Sequence, residues 1–343
     1  MFLSFIVPVY NVEKYLGECL DSLLDQDIDQ SDYEIVCVND GSTDGSPEIL
    51  AGYAQRHPNI RVVTKENGGL PAARNTGVDH SRGDYIWHVD SDDFVQRNVL
   101  GQIRALTERT GCDRVSVLAY EFTEQLSEAE REAAANRTIQ ANANHRNITV
   151  WNNVFKRAHL EKHGLRSDEQ LQYGEDVVYM LRFSAIECLE EKFDQVCYFY
   201  RKRAQSITST MSLKSQMMKI DCSRIVQAYY LDYHAKGLGD PVYIANRTMG
   251  NLWHMLYMTA QLPGRQRREV MRRLKKDKLF PYDRLEACTI WKSYCTDRTD
   301  LIGKIFERLY LNMHRPWAFR GMVGFMKLVQ LKNKCTKEGE AWY

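Results

Sequence analysis

Apolar residues run almost unbroken through positions 3–9, 33–38 and 85–89, as in strands covered on both faces. Shorter β-rich runs fall at 60–64 and 114–119. Between the first two runs, Tyr15, Leu16, Cys19, Leu20, Leu23 and Leu24 recur at helical spacing. A second helix is predicted from Ser46-Pro47 and a third from Pro71, because proline suits the first helical turn. Alternating strands and helices over the first 120 residues predict an α/β fold with a mainly parallel central sheet. Ligands of such sheets bind beyond the carboxyl ends of the strands. Asp40 and Asp90 both fall at such ends.

The rhythm breaks at 121–147, where glutamates, an alanine run and then Asn and Gln predict a polar helix and a mobile loop. A helix at 175–185 and a strand at 194–200 follow. Beyond about Leu213 only helical patterns remain. The chain therefore divides into 1–120, 121–210 and an all-helical 211–343.

Charge adds one fact to this picture. The net charge of +1 conceals a split: residues 261–343 hold 19 Lys and Arg against 9 Asp and Glu, or +10, leaving −9 for the rest. An anionic partner for the C-terminal part is the implication, and no nucleic acid is expected. The nine cysteines form no CxxC pair, which excludes a disulfide framework or zinc site; Cys37, Cys112 and Cys197 read as buried thiols. With no cationic leader and no run of 18 uncharged apolar residues, the expectation is a cytoplasmic protein.

Five segments carry candidate chemistry. In Asp90-Ser91-Asp92-Asp93, three carboxylates within four residues follow a buried strand, and their repulsion calls for a cation. Hard ions such as Mg²⁺ or Mn²⁺ take one or two carboxylates together with substrate phosphates. An Asp-rich helix start is the structural alternative. Asp40, in Asn39-Asp40-Gly41-Ser42, can accept hydrogen bonds from a base or ribose, or it closes an Asp-Gly turn. Asn67-Gly68-Gly69 opens a helix whose N-terminus suits an anion, with Arg74 one turn in to support phosphate or order the aspartates. Glu175-Asp176 supplies a general base, or merely acids favoured in a first turn. The basic loop from Tyr200 to Ile207, with Arg201 and Arg203, either folds over a diphosphate or forms a solvated strand edge.

Taken in order, these segments resemble the family 2 inverting glycosyltransferases of GT-A fold. Val7-Pro8-Val9-Tyr10-Asn11 and Trp151-Asn152 with Phe155-Lys156-Arg157 complete the match, which runs from residue 1 to about 210. The resemblance implies a donor-binding half at 1–120, an acceptor-side half with the base at 121–210, and a basic helical region at 211–343. It implies that Pro8, Val9, Tyr10 and Asp40 line the nucleoside site, with Asn67, Gly69, Arg74, Asp90, Ser91, Arg201 and Arg203 on the donor. Asp90 and Asp92 would form the Asp-x-Asp metal motif, Asp92 being the principal ligand of Mn²⁺ or Mg²⁺. Asp176 is the favoured base over Glu175, and Trp151 and Lys156 lie on the acceptor side. The implied reaction carries a sugar from a nucleotide-sugar, UDP-linked by preference, to a saccharide or lipid-linked saccharide acceptor with inversion. A sugar-phosphate nucleotidyltransferase and an inactive nucleotide-sugar binder are the rival readings. The apolar and cationic pattern over 301–334 suits peripheral contact with the inner membrane, a homodimer contact, or packing on the catalytic part.

Overall fold

The computed structural model describes residues 1–123, 125–135, 149–203 and 212–277, together with single positions between 305 and 324. Contacts divide the chain into two compact units, Met1–Ser209 and Thr210–Tyr343. The mobile loop expected before 147, most of the basic loop after Arg203, and most of 301–334 lie outside the described residues.

The first unit is built on one eight-stranded sheet. Strands β1 (Leu3–Val9), β2 (Tyr33–Asp40), β3 (Ile60–Lys65) and β4 (Tyr85–His88) form its parallel half, and β5 (Phe94–Val95), β6 (Arg114–Phe122), β7 (Asn153–Lys156) and β8 (Glu190–Arg201) the rest. Their spatial order is β3-β2-β1-β4-β7-β6-β8-β5. The sheet is mixed and mainly parallel, as the sequence predicts. β1, β2, β3 and β4 pair in parallel, as do β6 and β8, while β7 runs antiparallel to both β4 and β6, and β5 to β8. Every residue of β1 and β2 is buried, as a strand with helices on both faces requires.

Helices α1 (Glu13–Leu24), α2 (Ser46–Arg56) and α4 (Leu100–Thr110) cover one face through Leu16, Leu20, Leu23, Leu50, Leu100 and Ile103. On the other face lie α3 (Leu70–His80), α6 (Arg157–Lys162) and α7 (Glu175–Ser184), whose Ala73, Val78, Leu160, Tyr179, Met180 and Phe183 pack on Ile6, Val36, Ile86 and Phe155. A short α5 (Glu128–Ala135) follows β6. Because α3 and α7 share a face, Arg74 and the acidic start of α7 are drawn together. The six described cysteines are free, with Cys37, Cys112 and Cys197 buried.

In the second unit, α8 (Leu213–Lys236), α9 (Pro241–Gln261) and α10 (Gly264–Lys276) pack around Ile220, Met249, Leu252, Met255, Val270 and Leu274. Ser212 caps α8 by accepting from the Ser215 amide at 3.2 Å, and Asp240 caps α9 from the Tyr243 amide at 2.6 Å. Among the described residues, no helix is long and apolar enough to cross a membrane.

The turn into β4 has no room for a side chain. A Cβ on Gly83 would lie 2.5 Å from the Leu3 carbonyl carbon and the Ser4 amide nitrogen, both backbone. Gly83→Ala should cost about 1–3 kcal/mol through forced backbone shifts. Chemical denaturation would read this as a lower midpoint; an unchanged midpoint would mean the turn can move aside.

Candidate functional site

The strand register brings several predicted residues to one edge of the sheet. Val9 is the register partner of Asn39 and Asp40 of Lys65, while the Val89 amide donates to the Ile6 carbonyl at 2.9 Å. Pro8, Val9, Asp40 and Asp90 therefore lie at the same carboxyl edge, with Tyr10 just beyond and 51% exposed. Polar side chains tie the two outgoing turns together: Ser42 Oγ donates to the Val9 carbonyl at 3.4 Å, and Asn11 Oδ1 accepts from the Thr43 amide at 2.8 Å.

Asp40 is buried, and its carboxylate is engaged within the protein. It accepts from Lys65 Nζ and the Gly68 amide, both at 2.9 Å, and from the Gly69 amide at 2.8 Å. Its immediate work is to hold the turn containing exposed Asn67, where Gly69 at φ +88° starts α3. With three donors placed, about one of a carboxylate's four acceptor positions remains for a ligand. Lys65 was not among the sequence candidates, although it opens the same segment.

Arg74 is the hub. Its side chain is 1% exposed, and it donates to Asp90 Oδ1 at 2.8 Å, Glu175 Oε1 at 3.1 Å and Asp176 Oδ1 at 2.5 Å. One guanidinium thus faces three carboxylates, an excess of two negative charges. Burial pushes the Asp176 carboxyl up to about 7 against the opposing pull of Arg74, with Glu175 and Asp90 adding to the rise. The Val150 amide donates to its second oxygen at 3.4 Å. A carboxyl group titrating near neutrality suits proton abstraction.

A second cluster surrounds Asp92 and Asp93. Arg203 Nε pairs with Asp92 Oδ2 at 2.5 Å, and Arg201 Nε donates to the Asp92 carbonyl at 2.9 Å. Burial raises the Asp92 carboxyl, Arg203 lowers it, and Asp90 raises it further. Asp93 turns inward, accepting from the Tyr198 hydroxyl at 2.8 Å and the Arg201 amide at 2.7 Å. Burial, then Asp92 and Asp90, lift its carboxyl well above the usual range. Glu18 of α1 completes the cluster, binding Arg201 at 2.5 Å and Arg131 of α5. Ser91 is buried between the outward aspartates. Among the described residues no three His, Cys, Asp or Glu side chains form a ready-made cation cage. That donor set suits an ion that takes one or two carboxylates and completes its shell with phosphate and water. The charge of Asp92 is met here by the Arg203 guanidinium.

Two candidates are placed elsewhere in role or position. Lys156 is not brought to this edge: it pairs in register with Tyr85, at the opposite end of β4 from Asp90, and donates to the Gly111 carbonyl at 3.0 Å. Five residues of strand separate it from Asp90, about 16 Å. Trp151 is buried beneath the site, stacked on Tyr198 and Tyr200 at centroid distances of 4.6 and 5.3 Å. Glu18, Arg131, Asp93 and Tyr198 were not singled out by the sequence. Asp93 lay inside the quoted motif, whereas nothing local marks Glu18 or Arg131.

The charge excess around Arg74 has a measurable consequence. Between the ordinary carboxylate pKa near 3.8 and about 7, the folded protein holds a proton on Asp176 that the unfolded chain has lost. Stability therefore falls as pH rises through that window. Asp176→Asn should raise Tm at pH 8 by about 3 °C or more, with the gain vanishing near pH 4. A lower Tm at pH 8 would make Asp176 a structural partner of Arg74 instead.

Comparison with known proteins bears on the same residues. The model of Glycosyl transferase family 2 matches residues 4–163. The Bacillus subtilis protein described as uncharacterized glycosyltransferase EpsJ is 37% identical over 221 residues, covering 60% of this chain and 62% of EpsJ. The alignment thus leaves more than a third of that relative's length unmatched. Among solved structures, S. aureus TarS 1–349 in complex with UDP-GlcNAc superposes with a TM-score of 0.71 at 18% identity, over 97% of this chain and 92% of that one. Mannosyltransferase PcManGT from Pyrobaculum calidifontis, in complex with GDP-Man and Mn²⁺, gives 0.51 at 17% identity over 98% and 88%. At these identities the structures speak to the fold alone. Over residues 4–163 the chain is thus similar to glycosyl transferase family 2, and its fold is GT-A-like.

Proposed function

We propose that this chain is a metal-assisted, inverting glycosyltransferase acting on a nucleotide-sugar, UDP-linked by preference, in the synthesis of a bacterial surface polysaccharide or glycoconjugate. The observation that carries the proposal is the Arg74 hub, which fixes Asp90 at the end of β4 beside Asp176, a carboxyl titrating near 7. UDP-GlcNAc bound to TarS and GDP-Man with Mn²⁺ bound to PcManGT support a nucleotide-sugar and a divalent cation.

In this reading the nucleoside lies over the carboxyl edge formed by Pro8, Val9, Tyr10 and Asp40, with the exposed Tyr10 ring available for stacking. Asp92, and Asp90 beside it, would hold the cation, which neutralises charge on the departing diphosphate. With a cation held on Asp92, Arg203 would be free to pair with the phosphates, for which its planar guanidinium is suited. Arg201 stays with Glu18 and the Asp92 backbone, keeping the end of β8 in place. Asp176 takes the proton of the acceptor hydroxyl as that oxygen attacks the anomeric carbon. Glu175 and Arg74 hold the base in position, and the sugar is delivered with inverted configuration.

A panel of nucleotide-sugars with Mn²⁺, scored by nucleoside diphosphate release, tests the class. Pyrophosphate release would indicate nucleotidyl transfer, and no turnover of any donor would indicate a binding protein. Asp176→Asn should lower kcat by about 10²–10⁴-fold, and Asp92→Ala should abolish activity that added metal supports. Full turnover in excess chelator would remove the metal from the reaction. Since the base must be ionised, kcat/KM should fall about tenfold per unit below pH 7. An acidic limb near pH 4 would assign the proton to a group other than Asp176.

A further inference from the structure

Outside the catalytic unit, α10 presents a strongly charged surface. Its sequence, Gly-Arg-Gln-Arg-Arg-Glu-Val-Met-Arg-Arg-Leu-Lys-Lys, places seven cationic residues against one acid. The helix divides this charge unevenly around its axis. Arg273 is met by Asp221 at 3.2 Å and by Glu269, and Asp277 just beyond the helix is taken by Arg224. Val270, Met271 and Leu274 are buried in the core of the helical unit. The remaining face carries Arg265, Arg268, Arg272 and Lys276, all exposed. None of the four has an ion-pair partner among the described residues.

Their spacing of three, four and four residues aligns them in one stripe about 16 Å long, with a positive charge every 4.5–6 Å or so. Like charges at these separations destabilise a helix by a few tenths of a kcal/mol per pair. Among the described residues, acids relieve Arg273 but not the stripe, which leaves it open to an external anion. Three of the four are arginines, whose planar guanidinium binds phosphate oxygens bidentately.

We propose that this stripe binds a linear polymer bearing a phosphate in each repeat. A membrane surface fits less well. Helices that lie in a bilayer interface insert an apolar face, and the apolar residues of α10 are already committed to the protein core. A row of cations along a helix whose apolar face is already buried suits a chain of regularly spaced anions instead.

The test uses the full-length protein and a fluorescent glycerol-phosphate oligomer as probe. Wild-type protein should bind it with a log–log salt slope of about −3, as four released counterions imply. The variant Arg265→Gln/Arg268→Gln/Arg272→Gln/Lys276→Gln should lose at least tenfold in affinity at low salt while keeping its circular dichroism spectrum and Tm. Lys236→Gln, an exposed change on α8, should bind as wild type does. Equal binding by the quadruple variant would overturn the proposal. So would binding to phosphatidylglycerol vesicles but not to the oligomer, which would assign the stripe to the membrane. Donor hydrolysis without acceptor should be unchanged in the quadruple variant. If oligomer binding is lost with the stripe yet no donor is turned over at all, the stripe stands and the transferase reading fails.

Discussion

A guanidinium with no exposure to solvent is tolerable only when anions surround it, and Arg74 obtains three from two separate elements. Removing such a charge from water costs several kcal/mol, which carboxylates must offset. Asp90 arrives because β4 ends where it does; Glu175 and Asp176 arrive because α7 begins on the same face as α3. The close seat of α3 on the sheet serves this arrangement, since a Cβ on Gly77, three residues beyond Arg74, would overlap Ile6. The fold and the site therefore depend on the same ion cluster.

That cluster is deliberately unbalanced. Burial, with two further carboxylates on the same cation, leaves Asp176 reluctant to ionise, which weakens the folded state as pH rises toward neutrality. The proposed role as proton acceptor would draw on the same reluctance. The aspartates after β4 divide the remaining charge by position. Asp93 faces inward and is held by Tyr198 and the Arg201 amide, while Asp92 faces outward onto the more exposed Arg203. The inner contact fixes the strand ends, while the outer one lies nearer solvent.

Much of the first unit was legible from pattern alone. β1 was read with its observed limits, and the helices at Ser46 and Pro71 and the one after Gly174 began within a residue of their predicted starts. β5 and β7 escaped notice because two and four residues cannot display a period of two. β8 was read too short, since its first third, Glu190–Phe193, is mostly charged and at best partly buried. The direction of β7 is also invisible locally. It is set by the neighbours it pairs with, and it makes the sheet mixed.

The candidate site shows the same division. Carboxylates at strand ends and helix starts announce themselves, because such residues at such positions have few structural reasons to cluster. By itself the sequence determined the parallel half of the sheet, the edge where Asp40 and Asp90 emerge, and the acidic start of α7. Only tertiary structure decided that Arg74 joins Asp90 to Asp176, that Glu18, itself paired with Arg131 of a distant helix, holds Arg201, and that Lys156 lies at the other end of β4 from Asp90. Local periodicity fixes which way a side chain faces within its own element. Partners 100 residues apart are chosen by the packing of elements on one another, and by the energy of leaving a buried charge unmet.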